Sequence, residues 1–320
     1  METQPLADIA SPTIVATDGA TGSASTALHS MPEDAYPSVY AAADAASKDG
    51  HLRYVRLVQA ELVLLILAAA GSVYQLPAID EVRWQYAVQA MLLIGAFIAK
   101  LANRLRAYDD QWFESRAIAE TVKSSTWRYM TRIEPFDGDD EVADAAFTTA
   151  LQTTLQTRGA FHHHLYRALP DGEPITHFMR RQRALPFPER KAFYQQERLA
   201  DQIRWYSAKA DANDRYAARW FWASLGFEGL ALVGAIASIA TTTSAGVVGL
   251  FATLSAGATA WTQLGRHNEL RKSYGLAAYE LTFLRIAMDD ADEEATFAPT
   301  ALEAEAAISR EHTMWMAKRA

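Results

Sequence analysis

The chain of 320 residues contains no cysteine. Disulfide bonds, thiolate nucleophiles and cysteine-ligated zinc sites are therefore excluded. The sequence motifs of phosphate-binding, nucleotide-binding and hydrolytic enzymes are missing too, since no GxxxxGK, GxSxG or HExxH occurs and no GxGxxG follows a strand. The sequence gives no support for an enzyme, and we predict no catalytic residue, no cofactor and no metal site.

Basic residues are in the minority, with 30 Lys and Arg against 38 Asp and Glu and a formal net charge of −8. A nucleic-acid-binding module normally presents a basic face, so we predict no nucleic-acid partner. The N-terminal segment 1–35 lacks the basic and apolar regions of a signal peptide. It is rich in Ala, Ser and Thr and predicts a disordered tail, so the first membrane helix must direct insertion.

One long stretch holds almost no charge. Between Trp220 and Leu264 the only acid is Glu228, and there is no Lys or Arg. Two apolar runs flank a short TTTS turn, and each has about the 20 residues that an α-helix needs to cross a hydrocarbon core of roughly 30 Å. We predict that residues 220–240 and 245–264 are two membrane spans joined as a hairpin.

A second, less apolar pair of runs lies earlier, at residues 57–74 and 84–101, and its first run contains Gln59 and Glu61. Two buried helices of a soluble domain are the alternative interpretation. Basic residues flank both pairs of runs and are nearly absent from the turns: Lys48, Arg53, Arg56, Lys100, Arg104, Arg106, Lys209, Arg215, Arg219, Arg266, Arg271 and Lys272. By the positive-inside rule, both turns face outwards, and the termini and the middle region are cytoplasmic.

Apolar and small residues follow both pairs of runs at alternating spacings of four and three: Tyr108, Trp112, Ser115, Ala119, Val122, Thr126 and Tyr129, then Leu270, Tyr274, Ala277, Leu281, Leu284 and Met288. This rhythm is typical of helices that pack against other helices. It predicts either stalks that extend the spans into the cytoplasm, with coiled-coil pairing, or helices that lie on a cytoplasmic domain.

The overall prediction is an all-α integral membrane protein with two tandem helical hairpins. Its predicted segments are the tail (1–35), a first two-span unit (36–133), a helical middle region (134–187), a second two-span unit (188–290), and an acidic linker with a C-terminal helix (291–320). Pro188 suits the first position of a long helix that leads into the third span. Thr300 and Glu303 form the sequence pattern of a capping box, which predicts that the last helix starts at Thr300.

The two hairpins are related in sequence. YAAADAASKDGHLRYV from Tyr40 aligns with YSAKADANDRYAARWF from Tyr206, which pairs Arg53 with Arg219. One residue later in register, Glu61 corresponds to Glu228. Both turns face the same side, so the repeat is parallel.

Two stretches around each hairpin carry a family resemblance. In the first unit they are YPSVYAAADAAS and RAIAETVKSSTWRYMTRIEPF, and in the second they are ITHFMRRQRA and ERKAFYQQERLADQIRWYSAKADAN. These stretches resemble the SLATT family, whose members are small two-transmembrane domains of bacterial conflict systems. The resemblance covers about residues 36–288 and implies two SLATT units in tandem. It also implies association with cGAS-like nucleotidyltransferases or nucleotide-sensing modules, and a role in membrane permeabilisation that leads to cell death. The family brings no catalytic residue.

Glu228 is the first candidate pore or gating residue, because it lies about 12 Å inside its span and a carboxylate there costs roughly 2.5–3.5 kcal/mol. Ser255 and Thr259 are at the same level of the hairpin and are candidate partners. A neutral structural hydrogen bond is the alternative. Glu61 is the second candidate. The alternative is a structural role, in which its side chain reaches the membrane–water interface or pairs with Arg56.

Arg180, Arg181, Arg183, Arg190 and Lys191 are a candidate contact for an anion, a lipid headgroup or the trigger, and a solvated face is the alternative. His162, His163 and His164 cannot converge on one metal ion, because neighbouring helical residues point about 100° apart. Small residues four apart (Gly95 with Ala99, and Ala252, Ala256 with Ala260) predict close helix packing, most simply within one chain.

These features together predict an effector in the bacterial inner membrane that oligomerises and permeabilises the bilayer on a cytosolic signal. The expected partners are the lipid bilayer, other copies of the chain, and a separately encoded sensor, nucleotidyltransferase or nucleotide product as the trigger. A non-conducting membrane anchor or scaffold that recruits a partner protein is the competing hypothesis.

Overall fold

The computed structural model describes residues 31, 35–74, 83–157, 173–240 and 245–317. Within these ranges all regular structure is helical, which confirms the all-α prediction. Residues 1–30 and 32–34 of the predicted tail, residues 75–82 of the first turn, the TTTS turn (241–244) and the three consecutive histidines lie outside the described residues.

The helices are named in chain order. The first five are α1 (Ser38–Ala70), α2 (Trp84–Arg106), α3 (Tyr108–Thr131), α4 (Asp140–Thr157) and α5 (His177–Arg183). The next is α6 (Phe187–Phe193), which continues through a π-helical turn (Tyr194–Leu199) into α7 (Ala200–Ala240). The last three are α8 (Ala245–Gly265), α9 (His267–Asp289) and α10 (Glu294–Ala317). α6 begins at Phe187, one residue before the predicted start, so Pro188 is its second residue and lies in its first turn.

The chain divides into two compact units. The polar unit comprises Met1–His51, Asp109–Ala208 and Ser273–Ala320. The apolar unit comprises Leu52–Tyr108 and Lys209–Lys272 and contains all four predicted spans.

Three helical runs among the described residues are long and apolar enough to cross a membrane, and they contain α2, α7 and α8. Their large apolar side chains are mostly exposed, for example Phe97 at 66% and Ile239 at 86%. A soluble monomer rarely leaves so much contiguous apolar surface in water, so these helices suit lipid rather than a soluble core. The protein is therefore a helical, multi-pass membrane protein. The predicted span at 57–74 is not among the three, and four spans remain a prediction.

α1 is the more enclosed helix of the first hairpin. A Cβ added at Gly95 of α2 would lie 3.2 Å from Leu64, and one at Gly257 of α8 would lie 3.7 Å from Ile66. α1 thus contacts both α2 and α8, and Ala68 is buried. A helix that is covered by its neighbours can be less apolar than one that faces lipid. This accounts for the lower hydropathy of the predicted span at 57–74.

Each hairpin ends at a single residue with a left-handed backbone. Ala107, with φ of 47°, separates α2 from α3, and Arg266, with φ of 46°, separates α8 from α9. This conformation costs a non-glycine residue roughly 1–2 kcal/mol. Its appearance at the same place in both hairpins supports the internal repeat inferred from the sequence.

The predicted seams are buried. From Ser115 to Tyr129, and from Leu270 to Met288, every seam residue is less than 10% exposed. α3 also buries Ala117, Ile118 and Trp127, which lie off its seam. A helix covered on several sides fits packing within the polar unit better than a free-standing stalk.

The predicted start of the last helix is wrong. α10 begins at Glu294, and the Thr300 hydroxyl donates to the Thr296 carbonyl inside the helix at 3.3 Å instead of capping its end. The backbone N–H groups of Thr296 and Phe297 already bond to Glu293, so the first turn forms before Pro299. Burial of Phe297 and the following apolar face outweighs the hydrogen bond that proline cannot make.

Candidate functional site

Four polar side chains meet between α7 and α8 in the apolar unit. The Ser255 hydroxyl donates to Glu228 Oε1 at 3.0 Å. The Ser224 hydroxyl lies 3.1 Å from Ser255 Oγ and 3.1 Å from Thr259 Oγ1. We call these four residues the α7–α8 polar cluster. It forms a continuous line of hydrogen bonds that ends at the carboxylate.

Helix geometry explains how these residues meet. Ser224 and Glu228 are four residues apart on α7, and Ser255 and Thr259 are four apart on α8, so each pair lies on one helix face. The antiparallel hairpin then brings the two faces together. The structure places Ser255 and Thr259 near Glu228 as predicted, although the direct partner of Thr259 is Ser224. Ser224 was not predicted, although its position one helical turn before Glu228 was the available signal in the sequence.

The α7–α8 polar cluster is open on one side. Glu228 and Thr259 are exposed, whereas Ser255 is buried. The carboxylate therefore lies at the surface of the isolated chain, and the buried Ser255 hydroxyl donates to it from within.

Glu61 pairs with Lys100, not with Arg56. Lys100 Nζ lies 3.2 Å from Glu61 Oε1 and joins α2 to α1. Arg56 and Glu61 are five residues apart, which places their side chains about 140° apart around a helix. The suggested pairing with Arg56 is therefore wrong.

The basic cluster near α5 and α6 is largely engaged by protein acceptors. Arg183 is 1% exposed, and its guanidinium group donates to the carbonyl oxygens of Tyr129, Phe136 and Gly138 at 2.6–2.9 Å. It also pairs with Asp140 at 2.9 Å. This side chain holds the loop after α3 in place.

The other members of the cluster differ in exposure. Arg190 pairs with Glu294 and is buried, and Lys191 donates to the carbonyls of Asp289 and Ala291. Arg180 is half-exposed beside Asp144, at 3.1 Å. Arg181 is exposed above the Phe178 ring. A contact with an anion or trigger stays a prediction, and Arg181 is an exposed candidate for it.

Two family matches cover most of the chain. Residues 37–191 match the family described as SMODS and SLOG-associating 2TM effector domain 3, and residues 194–315 match SMODS and SLOG-associating 2TM effector domain 1. The chain carries two tandem SLATT domains. Among curated proteins and among solved structures, none matches it.

The matched ranges group the segments differently from our prediction. The first SLATT domain includes the middle region and α5, and it extends to residue 191. The second SLATT domain includes the C-terminal helix α10 as well as the α7–α8 hairpin.

The two SLATT domains share one core in the polar unit. Trp127 of the first domain packs edge-on against Tyr194 of the second, with ring centroids 6.1 Å apart. Beside them, Arg198 forms two hydrogen bonds of 2.9 and 2.8 Å with Glu305, and both side chains are 2% exposed. Burial alone lowers the pKa of Arg198, but the charge and hydrogen bonds of Glu305 outweigh burial and raise it. This pair was not predicted from the sequence.

In the described part of the chain, no group of three or more His, Asp or Glu side chains could hold a metal ion. The α7–α8 polar cluster is the most distinctive polar arrangement in the apolar unit. It joins a carboxylate to three hydroxyl groups in a segment that otherwise suits lipid.

Proposed function

We propose that this tandem SLATT protein is a bacterial conflict or anti-phage effector that oligomerises and permeabilises the inner membrane when a cytosolic signal arrives. The observation that carries the proposal is the match of two membrane effector domains to one chain. The α7–α8 polar cluster supports the permeabilising step.

A small-residue surface on α8 supports oligomerisation. Ala252, Ala256 and Ala260 are all exposed, so our expectation that they pack within one chain is wrong. Gly95 and Ala99 of α2, by contrast, do pack inside the chain, against α1 for Gly95. In lipid, small residues four apart permit close approach of helices. We therefore propose that a second copy of the chain packs against the α8 surface.

The exposed Glu228 supports a permeation path. A carboxylate facing hydrocarbon costs roughly 2.5–3.5 kcal/mol, and that cost falls when the group lines water or meets another polar surface. An assembly that gathers several α7 helices would place several Glu228 side chains around a common axis. Acidic rings of this kind line cation channels.

Control by a signal follows from toxicity, because an effector of this kind has to be closed at rest. A change from 1:99 to 99:1 in favour of the open state requires about 5.5 kcal/mol of differential binding. One surface salt bridge supplies about 1 kcal/mol at most. We therefore propose a separately encoded sensor, nucleotidyltransferase or its nucleotide product as the trigger, acting on the cytoplasmic polar unit.

Membrane potential in bacteria tests this proposal. Cells expressing the chain with its neighbouring genes are followed with a voltage-sensitive dye during phage infection. We expect depolarisation and growth arrest with the wild-type chain and with Glu61→Gln, and neither with Glu228→Leu. A chain that protects cells without depolarising them would instead be the non-conducting anchor or scaffold.

Disulfide crosslinking tests oligomerisation separately. The chain has no cysteine, so Ala256→Cys introduces a unique thiol on the exposed α8 surface. We expect a crosslinked dimer in oxidised membranes. Ala258→Cys is the matched control, because Ala258 is two residues away and buried within the chain. Equal crosslinking at both positions would reject the α8 surface as the interface.

A further inference from the structure

We propose that the α7–α8 polar cluster is a binding site for an alkali-metal cation, Na⁺ or K⁺. The inference rests on the proposed function in one respect, because it names the ion class that the permeation path would carry. It is a statement about binding, however, and is tested on the resting protein.

The internal repeat provides the first argument. In the first hairpin, Glu61 is neutralised by the ammonium group of Lys100 at 3.2 Å. Lys100 lies seven residues before the left-handed break at Ala107, and Thr259 lies seven residues before the equivalent break at Arg266. The second hairpin therefore has a threonine where the first has a lysine. It keeps the carboxylate but lacks the built-in cation.

The donor set provides the second argument. Glu228 contributes two carboxylate oxygens, and Ser255, Ser224 and Thr259 contribute three hydroxyl oxygens linked at 3.0–3.1 Å. Hydroxyl groups rotate and can turn their lone pairs toward a cation. Oxygen ligands suit hard cations, whereas soft metals prefer sulfur.

Charge selects the valence of the cation. Residues 220–264 contain one acid and no Lys or Arg, so the local formal charge is −1. A monovalent cation neutralises this charge. A divalent cation would leave a positive charge at a depth where an unpaired charge is costly, and an anion would add to the negative charge. The site thus favours Na⁺ or K⁺ over Mg²⁺, Ca²⁺ or chloride.

Access is available from the open face. Glu228 and Thr259 are both exposed, so the two ends of the hydrogen-bonded line lie at the surface of the isolated chain. A cation that enters along this face reaches the carboxylate without displacing a residue of α7. It would occupy the place that the Lys100 ammonium takes in the first hairpin.

Infrared difference spectroscopy tests the site on the full-length protein in lipid bilayers. Na⁺ or K⁺ is exchanged for N-methyl-D-glucamine at constant pH and ionic strength, and the carboxylate stretching bands are recorded. We expect a band change in the wild type and in Glu61→Gln. We expect none in Glu228→Gln, nor in Thr259→Lys, which supplies a tethered ammonium like that of the first hairpin.

A lack of cation response in the wild type would overturn the inference, and so would a response that persists in Glu228→Gln. Bands that respond only to acid would also overturn it, because they indicate protonation without metal binding. If Glu228→Gln fails to fold, Thr259→Lys decides, since it retains the carboxylate. A negative result here leaves the depolarisation test standing, and a positive result does not depend on conduction.

Discussion

The buried ion pair between Arg198 and Glu305 predicts a large loss of stability when Glu305 is replaced by alanine. The substitution removes the acceptors of two charged hydrogen bonds, at 2.9 and 2.8 Å, and leaves the guanidinium group of an arginine side chain that is 2% exposed. It also removes the Glu305 acceptor of the Tyr194 hydroxyl. The charge then has neither water nor a counter-ion.

Removing one partner of a buried pair costs about 3–5 kcal/mol. For a domain of roughly 150–250 residues, each kcal/mol lowers Tm by about 2–4 °C, so we expect a drop of about 6–20 °C for Glu305→Ala. The loss is measured by thermal unfolding in detergent, followed by tryptophan fluorescence. Trp127 is a suitable reporter because it is buried, with its ring centroid 6.0 Å from the Arg198 guanidinium carbon.

Two further variants make this prediction refutable. Asp201→Ala removes the partner of Arg204, whose side chain is 66% exposed, and should cost less than about 1 kcal/mol. The double variant Arg198→Met with Glu305→Leu should recover most of the loss, because it leaves no unpaired charge. A Glu305→Ala variant as stable as Asp201→Ala would show that the pair is not buried in the folded protein.

Two other predictions concern local packing and charge. Gly246→Ala should lower Tm by roughly 4–12 °C, because its Cβ would overlap the backbone carbonyl of Ser72. Gly249→Ala is the control, since its Cβ has no neighbouring atom within 4 Å among the described residues, and it should leave Tm within about 2 °C. Equal effects of the two variants would reject the close approach of α8 to the end of α1. Burial lowers the pKa of Lys123, so the folded state disfavours its charge at neutral pH, and Lys123→Met should raise stability at pH 7 by about 1 kcal/mol. Because the pKa of Lys123 is lower in the folded than in the unfolded protein, the wild type becomes more stable as pH rises toward the ordinary lysine value of 10.5. The gain in Tm of Lys123→Met over the wild type should therefore shrink at alkaline pH. A gain that does not change with pH would contradict this cause.

Local sequence patterns predicted much of the fold. The seams from Ser115 to Tyr129 and from Leu270 to Met288 are buried because a spacing of four and three places their side chains on one helix face. The uncharged runs predicted the spans in α7 and α8 because nearly every residue of a helix that crosses the hydrocarbon core has to be apolar, which is visible in the local sequence. Glu228 and Ser255 meet because antiparallel helices place residues at equal distances from the turn side by side.

Long-range partners were not predictable in the same way. Arg183 belongs by composition to a basic surface cluster, yet it is buried and donates to carbonyl groups in the last turn of α3 and in the loop after it. Arg198 and Glu305 are 107 residues apart, and no periodicity links them. The π-helical turn at Tyr194–Leu199, which contains Arg198, has no distinct sequence signal either. These features depend on tertiary contacts, which a single sequence does not display.

The two hairpins differ in the surroundings of their carboxylates, which is the feature on which the proposed permeation path depends. In the first, a lysine neutralises Glu61, and α1 is covered by α2 and α8. In the second, Glu228 has only hydroxyl partners among the described contacts and lies on an exposed face. We therefore expect the first hairpin to support the assembly and the second to form the path. Glu61→Leu should lower stability and protein yield while toxicity per molecule is kept, whereas Glu228→Leu should abolish toxicity at unchanged yield. Toxicity and yield that fall together in both variants would mean that the two carboxylates have the same structural role.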